Sequence, residues 1–227
     1  DGSITSQVSA NTDAGFSIVS YTGNGTDGAT VGHGLNQAPE LMINKSRGLD
    51  DQDWYVFGYP AGPSAVFSED GSNLRLNQTS AINNSTIHEV SLDASVITFV
   101  DSGHPNGSGD ERIAYCFHSV DGYSKVGSYT GNGSSDGPFV FTGFRPAWIM
   151  VKRAVGGTSN WAIMDAVRNT YNVVDLRLYA NLDNDEPTAT DYVDFTSNGF
   201  KVRNTASSQI TDGSTYIYLA FAETPFK

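Results

Sequence analysis

The feature that most constrains this 227-residue chain is an internal repeat. Five short segments of the first half recur in the second half in the same order, and collinear self-similarity of this kind marks a duplicated structural unit. We therefore predict two tandem repeats, residues 15–121 and 122–227, of about 105 residues each. The matched segments are 15–25 with 122–133, 39–45 with 146–152, Trp54 with Trp161, 74–76 with 176–178, and 113–117 with 217–221.

Each repeat is predicted to consist of short β-strands. Runs of β-branched and aromatic residues are separated by clusters of Gly, Asn and Pro, whereas helical periodicity is nearly absent. The alternation is clearest near the end of the chain, where Ile217, Leu219 and Phe221 share one face of a strand and Tyr216, Tyr218 and Ala220 share the other. Six or seven strands per repeat favour an all-β fold, a β-sandwich of the jelly-roll or concanavalin-like type. Two small sandwiches and one large pseudo-symmetric sandwich both fit this pattern.

The segments between the predicted strands are polar and rich in glycine. Matching pairs at Asn24-Gly25 and Asn132-Gly133 predict tight hairpin turns, because glycine adopts the positive φ that such turns need. Residues 1–14 predict either a linker or an N-terminal strand that requires a neighbour. Segments that differ between the repeats, 48–53, 58–71 and 181–191, are predicted to be exposed variable loops.

Composition excludes several classes of protein. The chain has 13 basic and 25 acidic residues and a net charge of −12, so it has no basic surface for nucleic acid or an anionic membrane. No apolar run is long enough to cross a bilayer, and we expect no membrane insertion. The single cysteine, Cys116, excludes an internal disulfide or a cysteine-based zinc site, and its strand pattern predicts a buried, reduced thiol.

No recognisable catalytic motif is present. The chain has no Gly-x-Ser-x-Gly elbow, and His33 lies between two glycines where the second repeat has Thr142. Acids crowd into two loops, 50–53 and 183–186, where they are available to a glycan hydrolase or a calcium ion. Crowded loop acids are more typical of solvated turns. We therefore predict a protein that is not an enzyme and has no cofactor, with calcium left as an open alternative.

Aromatic side chains beside polar loops carry the ligand-binding prediction. An exposed ring can stack on the apolar face of a sugar while neighbouring Asp and Asn side chains bind its hydroxyl groups. Trp54 and Trp161 lie in matching apolar strands and are predicted instead to anchor the core of each repeat. Lys45, Lys152 and Arg153 lie at a strand end that recurs in both halves, where they could pair with acids or meet an anionic glycan, and pairing with surface acids is the favoured role. The candidate ligand-binding residues are Asp53, Tyr55, Tyr59, Tyr179, Asp183 and Asp185.

Several longer strings resemble a largely uncharacterised repeat domain found in virion proteins of tailed phages, especially marine phages. They are residues 14–25, 31–35, 114–117, 121–125, 143–148 and 220–223. The resemblance covers residues 10–227, and it is weakest over residues 58–86. It implies a module of a tail fibre, tail tip or other virion surface, and it supplies no catalytic residues.

Resemblance and composition together predict a structural and receptor-binding module on the phage virion. The expected partners are a host cell-surface glycan and other virion proteins, and the expected assembly is a homotrimeric fibre. Two alternatives remain open: a purely structural fibre or decoration module, and a hydrolase of surface polysaccharide.

Overall fold

A computed structural model describes residues 2–49, 51–58, 66–67, 72–84, 89–100, 103–186, 188–203 and 207–225. Within these residues the chain forms nineteen β-strands and a single helical turn, α1 (Ser207–Ile210). The all-β prediction is therefore confirmed. None of the described helical residues belongs to a helix long and apolar enough to span a membrane.

The chain divides into two compact units. The first unit extends to Leu76 and resumes at Ile82–His118, and the second consists of Asn77–Ala81 and the chain from Ser119 onward. The described strands of every sheet belong to a single unit, so the arrangement is two sandwiches in tandem. The division at 118–119 lies three residues before the predicted one, and the transfer of residues 77–81 to the second unit was not predicted.

In the first unit, two antiparallel sheets share one buried core that includes Val19, Val31, Ile97 and Cys116. The larger sheet contains, in spatial order, β1 (Ser6–Asn11), β2 (Phe16–Thr22), β10 (Glu111–Phe117), β4 (Leu41–Ser46), β5 (Tyr55–Gly58), β6 (Ser72–Arg75) and β7 (Asn83–Asn84). The smaller sheet contains β3 (Ala29–Gly32), β9 (Val96–Phe99) and β8 (Val90–Leu92).

The second unit has the same two-sheet construction around a core that includes Met164, Phe195, Phe200 and Tyr216. One sheet contains β11 (Ser124–Thr130), β19 (Thr215–Ala222), β13 (Pro146–Val155), β14 (Ala162–Asp165) and β16 (Leu178–Tyr179). The other contains β12 (Phe139–Phe141), β18 (Gly199–Val202), β17 (Thr188–Thr196) and β15 (Val174–Leu176).

Strand order is similar in the two units, which have β2-β10-β4-β5 and β11-β19-β13-β14 respectively. That the halves superpose as two copies of one fold stays a prediction. One of the five sequence matches is displaced. Leu74 pairs with Val56 on β5, but the residue that pairs with Ile163 on β14 is Leu178 rather than Leu176. The sequence match therefore misaligned this strand by two residues.

The Asn-Gly segments at 24–25 and 132–133 are not hairpin turns. Each carries the chain from one sheet of its unit to the other, from β2 to β3 and from β11 to β12. Glycine is still required in the first segment, because Gly25 has a positive φ of 66° and a Cβ on the preceding Gly23 would lie 2.4 Å from the carbonyl oxygen of Gly107. Residues 6–11 form the edge strand β1 on β2, so the strand alternative for the N-terminal segment is the one observed.

Candidate ligand-binding cleft

The second unit contains an open cleft of about 420 Å³. Six of its seven lining residues carry a hydroxyl or carboxamide group, and none of the seven is charged. They are Asn77, Gln78, Thr79, Ser80, Thr158, Asn181 and Leu182. Hydroxyls and carboxamides can each donate and accept hydrogen bonds, so the lining suits a neutral ligand rich in hydroxyl groups.

A buried lysine binds the backbone of one lining residue of this cleft, Thr79. Lys152, on β13, is fully buried, and its Nζ donates to the carbonyl oxygens of Thr79 at 2.9 Å and Ser159 at 2.6 Å. The Ser159 amide also donates to Thr79 O, at 3.0 Å. Burial, and secondarily the neighbouring charge of Arg153, lowers the pKa of Lys152 to about 8. These bonds attach Asn77–Ala81 to the loop between β13 and β14.

Lys45 makes the corresponding bond in the first unit. Its Nζ donates to Gln52 O at 2.5 Å, and Gln52 precedes Trp54 by two residues just as Ser159 precedes Trp161. The prediction that both lysines pair with surface acids is therefore wrong. The loops that follow β4 and β13 each turn back over the lysine side chain of that strand. The backbone carbonyl oxygen that each loop directs inward, of Gln52 or Ser159, needs a hydrogen-bond donor, and the lysine supplies it.

The rim of the cleft is fixed by further hydrogen bonds. Asn181 accepts from the Trp161 amide at 2.9 Å and donates to Asn160 Oδ1 at 2.8 Å. Ser80 Oγ donates to Gln78 Oε1 at 3.3 Å. A ligand would therefore meet polar groups that are already oriented, which lowers the entropic cost of binding.

Three of the six predicted site residues lie next to the cleft along the chain. Tyr179 is half-buried on β16, and its ring centroid is 4.7 Å from the guanidinium carbon of Arg177. Asp183 and Asp185 are exposed and follow the cleft residue Leu182 closely in sequence. None of these three residues is itself among the lining residues of the cleft, so their role in binding stays a prediction.

The other three predicted residues belong to the first unit. Tyr55 faces the core from β5 and is only 4% exposed, so its ring offers no surface for stacking, contrary to the predicted role. Asp53 is half-buried and its carboxylate lies 3.2 Å from Arg75 Nε. Tyr59 lies outside the described residues.

The two tryptophans occupy matching places but differ in burial. Each directly precedes a strand, β5 or β14. Its carbonyl accepts a hydrogen bond from the residue just after the paired strand, Leu76 N after β6 at 2.8 Å or Ala180 N after β16 at 3.1 Å. Trp161 is 1% exposed, which confirms its predicted core position. Trp54 is only half-buried.

Sequence reasoning missed residues 77–80 as part of the site. The segment Asn77–Ser80 is a short polar stretch in the first repeat, like many others in this chain. Only tertiary packing assigns it to the second unit, so no local pattern identifies it.

Two residues that the sequence offered for catalysis or calcium binding, His33 and Glu186, make structural contacts instead. The His33 ring is buried, which lowers its pKa, and its Nδ1 accepts from Leu35 N at 3.2 Å while Nε2 lies 3.1 Å from Asp93 O. Glu186, one of the predicted calcium candidates, forms an ion pair with Arg168. Among the described residues, no three His, Cys, Asp or Glu side chains group as metal ligands.

Fold and cleft together define an all-β protein of two sandwich units, one of which carries a preformed polar cleft. The chain belongs to the family described as a domain of unknown function, DUF7483, whose model matches residues 1–225. Searches of curated proteins and of solved structures gave no match. The family description states no activity, and function must therefore be argued from the chemistry of the site.

Proposed function

We propose that this protein is a structural and receptor-binding module of a tailed-phage virion, in a tail fibre or tail tip. In this proposal it binds a host-surface glycan in the cleft of the second unit and catalyses no reaction. The phage assignment rests on the sequence resemblance alone. The observation that carries the ligand class is the cleft lining of hydroxyl and carboxamide side chains from Gln78, Thr158, Asn181 and their neighbours.

Electrostatics favours a neutral sugar over an anionic one. The nearest buried cation, Lys152, directs its ammonium at two backbone carbonyls. Asp183 and Asp185 follow the cleft wall and are exposed, which adds negative charge nearby. An anionic glycan would therefore meet repulsion without a compensating basic group in the lining.

Cleft size agrees with a small saccharide. The volume of about 420 Å³ falls within the range of roughly 300–1,000 Å³ that is usual for small-molecule sites. Leu182 supplies an apolar contact for the carbon face of a sugar ring. The cleft is open, which allows a longer chain to extend from it.

The test is a glycan array probed with the full chain and a double variant, Gln78→Ala with Thr158→Ala. We expect binding to neutral glycans that the double variant loses while its melting temperature is unchanged. A control variant, Ser197→Ala with Asn198→Ala, changes an exposed turn of the same unit and should bind like the wild type. Absence of wild-type binding, or equal binding by the double variant, would contradict the proposal.

A purely structural virion module is the second candidate, and exposed aromatic rings favour it. Phe139 is 47% exposed and Phe141 is 63% exposed, both on β12. Exposed apolar side chains on one strand are typical of protein–protein interfaces. Light scattering on the full chain tests it: a stable oligomer, such as the expected homotrimer, combined with no glycan binding supports this candidate over the first.

A further inference from the structure

In the first unit, the ring of His33 joins two turns. His33 directly follows β3 and is 0% exposed. Its Nδ1 accepts a hydrogen bond from the Leu35 amide at 3.2 Å, and its Nε2 lies 3.1 Å from the carbonyl oxygen of Asp93, in the turn between β8 and β9. We call these two hydrogen bonds the His33 bridge, because they connect the turn after β3 to the turn before β9.

The partners of the bridge fix the protonation state of the ring. A backbone amide can only donate a hydrogen bond, and a backbone carbonyl can only accept one. Nδ1 must therefore be without a hydrogen, whereas Nε2 must carry one. A protonated ring would turn a second hydrogen toward the Leu35 amide, so the bridge requires neutral His33.

The surroundings of the ring also disfavour its charged form. Burial is the main effect and lowers the pKa of His33, and the neighbouring His118 acts in the same direction. The negative charge of Asp93 and the bond to its carbonyl oppose this shift without cancelling it. The Asp93 carboxylate is exposed and accepts from the Ser95 and Val96 amides at 2.7 and 2.8 Å, which bind its charge within its own turn.

The His33 bridge lies beside a cavity of about 580 Å³. Leu35 and Ser95, from the two bridged turns, line this cavity together with Ile4 and Val8 from the N-terminal segment. The backbone of the first turn is close to β1, since a Cβ on Gly34 would lie 2.8 Å from Val8 Cγ1. Loss of the bridge would therefore loosen one wall of the cavity.

The matching turn of the second unit contains no titratable group in this place. Thr142 follows β12 as His33 follows β3, and the next residue in each turn is a glycine with a positive φ. Thr142 Oγ1 donates to Phe144 O at 2.6 Å, and the Thr142 amide donates to Asn198 O at 3.0 Å, in the turn between β17 and β18. Hydroxyl and amide groups keep their hydrogens over the range in which histidine titrates.

We propose that His33 is a proton-sensitive latch, whose protonation in mild acid loosens the turn after β3 and leaves the matching turn of the second unit closed. The open turn exposes the ring to water and binds a proton more readily than the closed turn does. Closure is therefore fully favoured above about pH 6.5 and becomes weaker as the pH falls below that value. This device belongs to the first unit and does not depend on glycan binding by the second.

Hydrogen exchange followed by NMR on the full chain tests the latch. Protection of the Leu35 amide, corrected for the intrinsic exchange rate, should fall about fivefold from pH 7.5 to pH 5.5, because the open turn gains protons in this interval. Protection of the Thr142 amide should not change. Equal protection of the Leu35 amide at the two pH values would overturn the proposal.

Two variants assign the effect to one histidine. His33→Gln keeps an acceptor and a donor without a titratable ring, so the loss of protection at pH 5.5 should disappear. His118→Gln is the matched control, since it removes the neighbouring histidine and should retain that loss. Melting temperatures at pH 7.5 verify folding. Persistence of the loss in His33→Gln, or its disappearance in His118→Gln, would contradict the assignment to His33.

A second measurement uses the wild-type protein alone. The ¹⁵N resonances of the His33 ring should show a hydrogen on Nε2 and none on Nδ1 at pH 7.5. Their titration midpoint should lie below the ordinary value of about 6.5. A hydrogen on Nδ1 at pH 7.5, or a midpoint at or above 6.5, would overturn the proposal.

Discussion

Lys152 Nζ lies 2.9 Å from the carbonyl oxygen of Thr79, a residue 73 positions away in the sequence that nevertheless belongs to the same unit. The same ammonium binds Ser159 O. One buried side chain therefore joins two of the chain segments that contribute residues to the candidate cleft, 77–80 and the loop that contains Thr158. Changes at Lys152 should affect the cleft more than they affect the two sheets.

Replacing Lys152 with Met should loosen the cleft. The Thr79 and Ser159 carbonyls lose a charged donor, and the Ser159 amide, which donates to Thr79 O, should exchange its hydrogen about tenfold faster. Lys45→Met is the control, since the matching lysine belongs to the first unit. Hydrogen exchange followed by NMR checks both. Equal protection of Ser159 in Lys152→Met and wild type would contradict the anchoring role.

The same lysine predicts a pH dependence. Burial lowers the pKa of Lys152 from 10.5 to about 8, so between these values the unfolded chain binds more protons than the folded one. The free energy of unfolding therefore rises with pH in this window. From pH 7 to pH 9 the wild type should gain about 1 kcal/mol relative to Lys152→Met. Urea unfolding at several pH values measures this difference, and parallel curves for the two proteins would count against it.

Cys116 should react slowly in the native protein. It is fully buried, and burial raises the pKa of its thiol to about 12, so little thiolate forms below pH 9. A thiol reagent at pH 8 should label it only as fast as the first unit opens, and rapidly once the protein is denatured. Fast labelling without denaturant would show that the strand is more accessible than its position implies.

The two tryptophans should differ in their contribution to stability. Trp161→Ala is expected to lower the free energy of unfolding by about 3–5 kcal/mol, because Trp161 is only 1% exposed. Trp54→Ala should cost less, about 1–2 kcal/mol, because the ring is half-buried. Chemical denaturation of each variant provides the comparison. An equal loss of unfolding free energy in the two variants would contradict the difference in burial between the two tryptophans.

Asp183 and Asp185 should affect binding without affecting stability. Both side chains are exposed, so replacing both with Asn should leave the melting temperature within a few degrees. Under the glycan-binding proposal, binding to the preferred sugar should weaken. Asp53→Asn should behave differently from these two substitutions. It breaks an ion pair with Arg75 and should lower the free energy of unfolding by up to about 1 kcal/mol. Unchanged binding in the Asp183→Asn, Asp185→Asn protein would exclude these residues from the site.

Sequence pattern predicted the strands well because alternation reports burial directly. Cys116 is 0% exposed, as its strand pattern predicted, and Ala114, two residues earlier on the same face, is 0% exposed as well. Connections were predicted less well. An Asn-Gly pair indicates a positive φ at Gly25, but it does not say whether the chain returns to the same sheet or crosses to the other.

The candidate site was only partly predictable for a related reason. The exposure of Asp183 and Asp185 was predicted correctly because polar loop composition is a local property, whereas their part in binding stays a prediction. Thr79 and the buried Lys152 were missed because their roles come from contacts between distant segments. Tyr55 was misassigned because an aromatic residue next to a polar loop looks the same in sequence whether its ring points inward or outward.

The placement of Asn77–Ala81 in the second unit also has a consequence for how this chain can evolve and be cut. A gene fragment that begins at residue 119 encodes all the described strands of the second unit but not the complete candidate cleft, whose lining includes residues 77–80. The second unit therefore depends on five residues that precede its strands by about forty positions, and recombination at residue 119 would separate its sheets from part of that cleft.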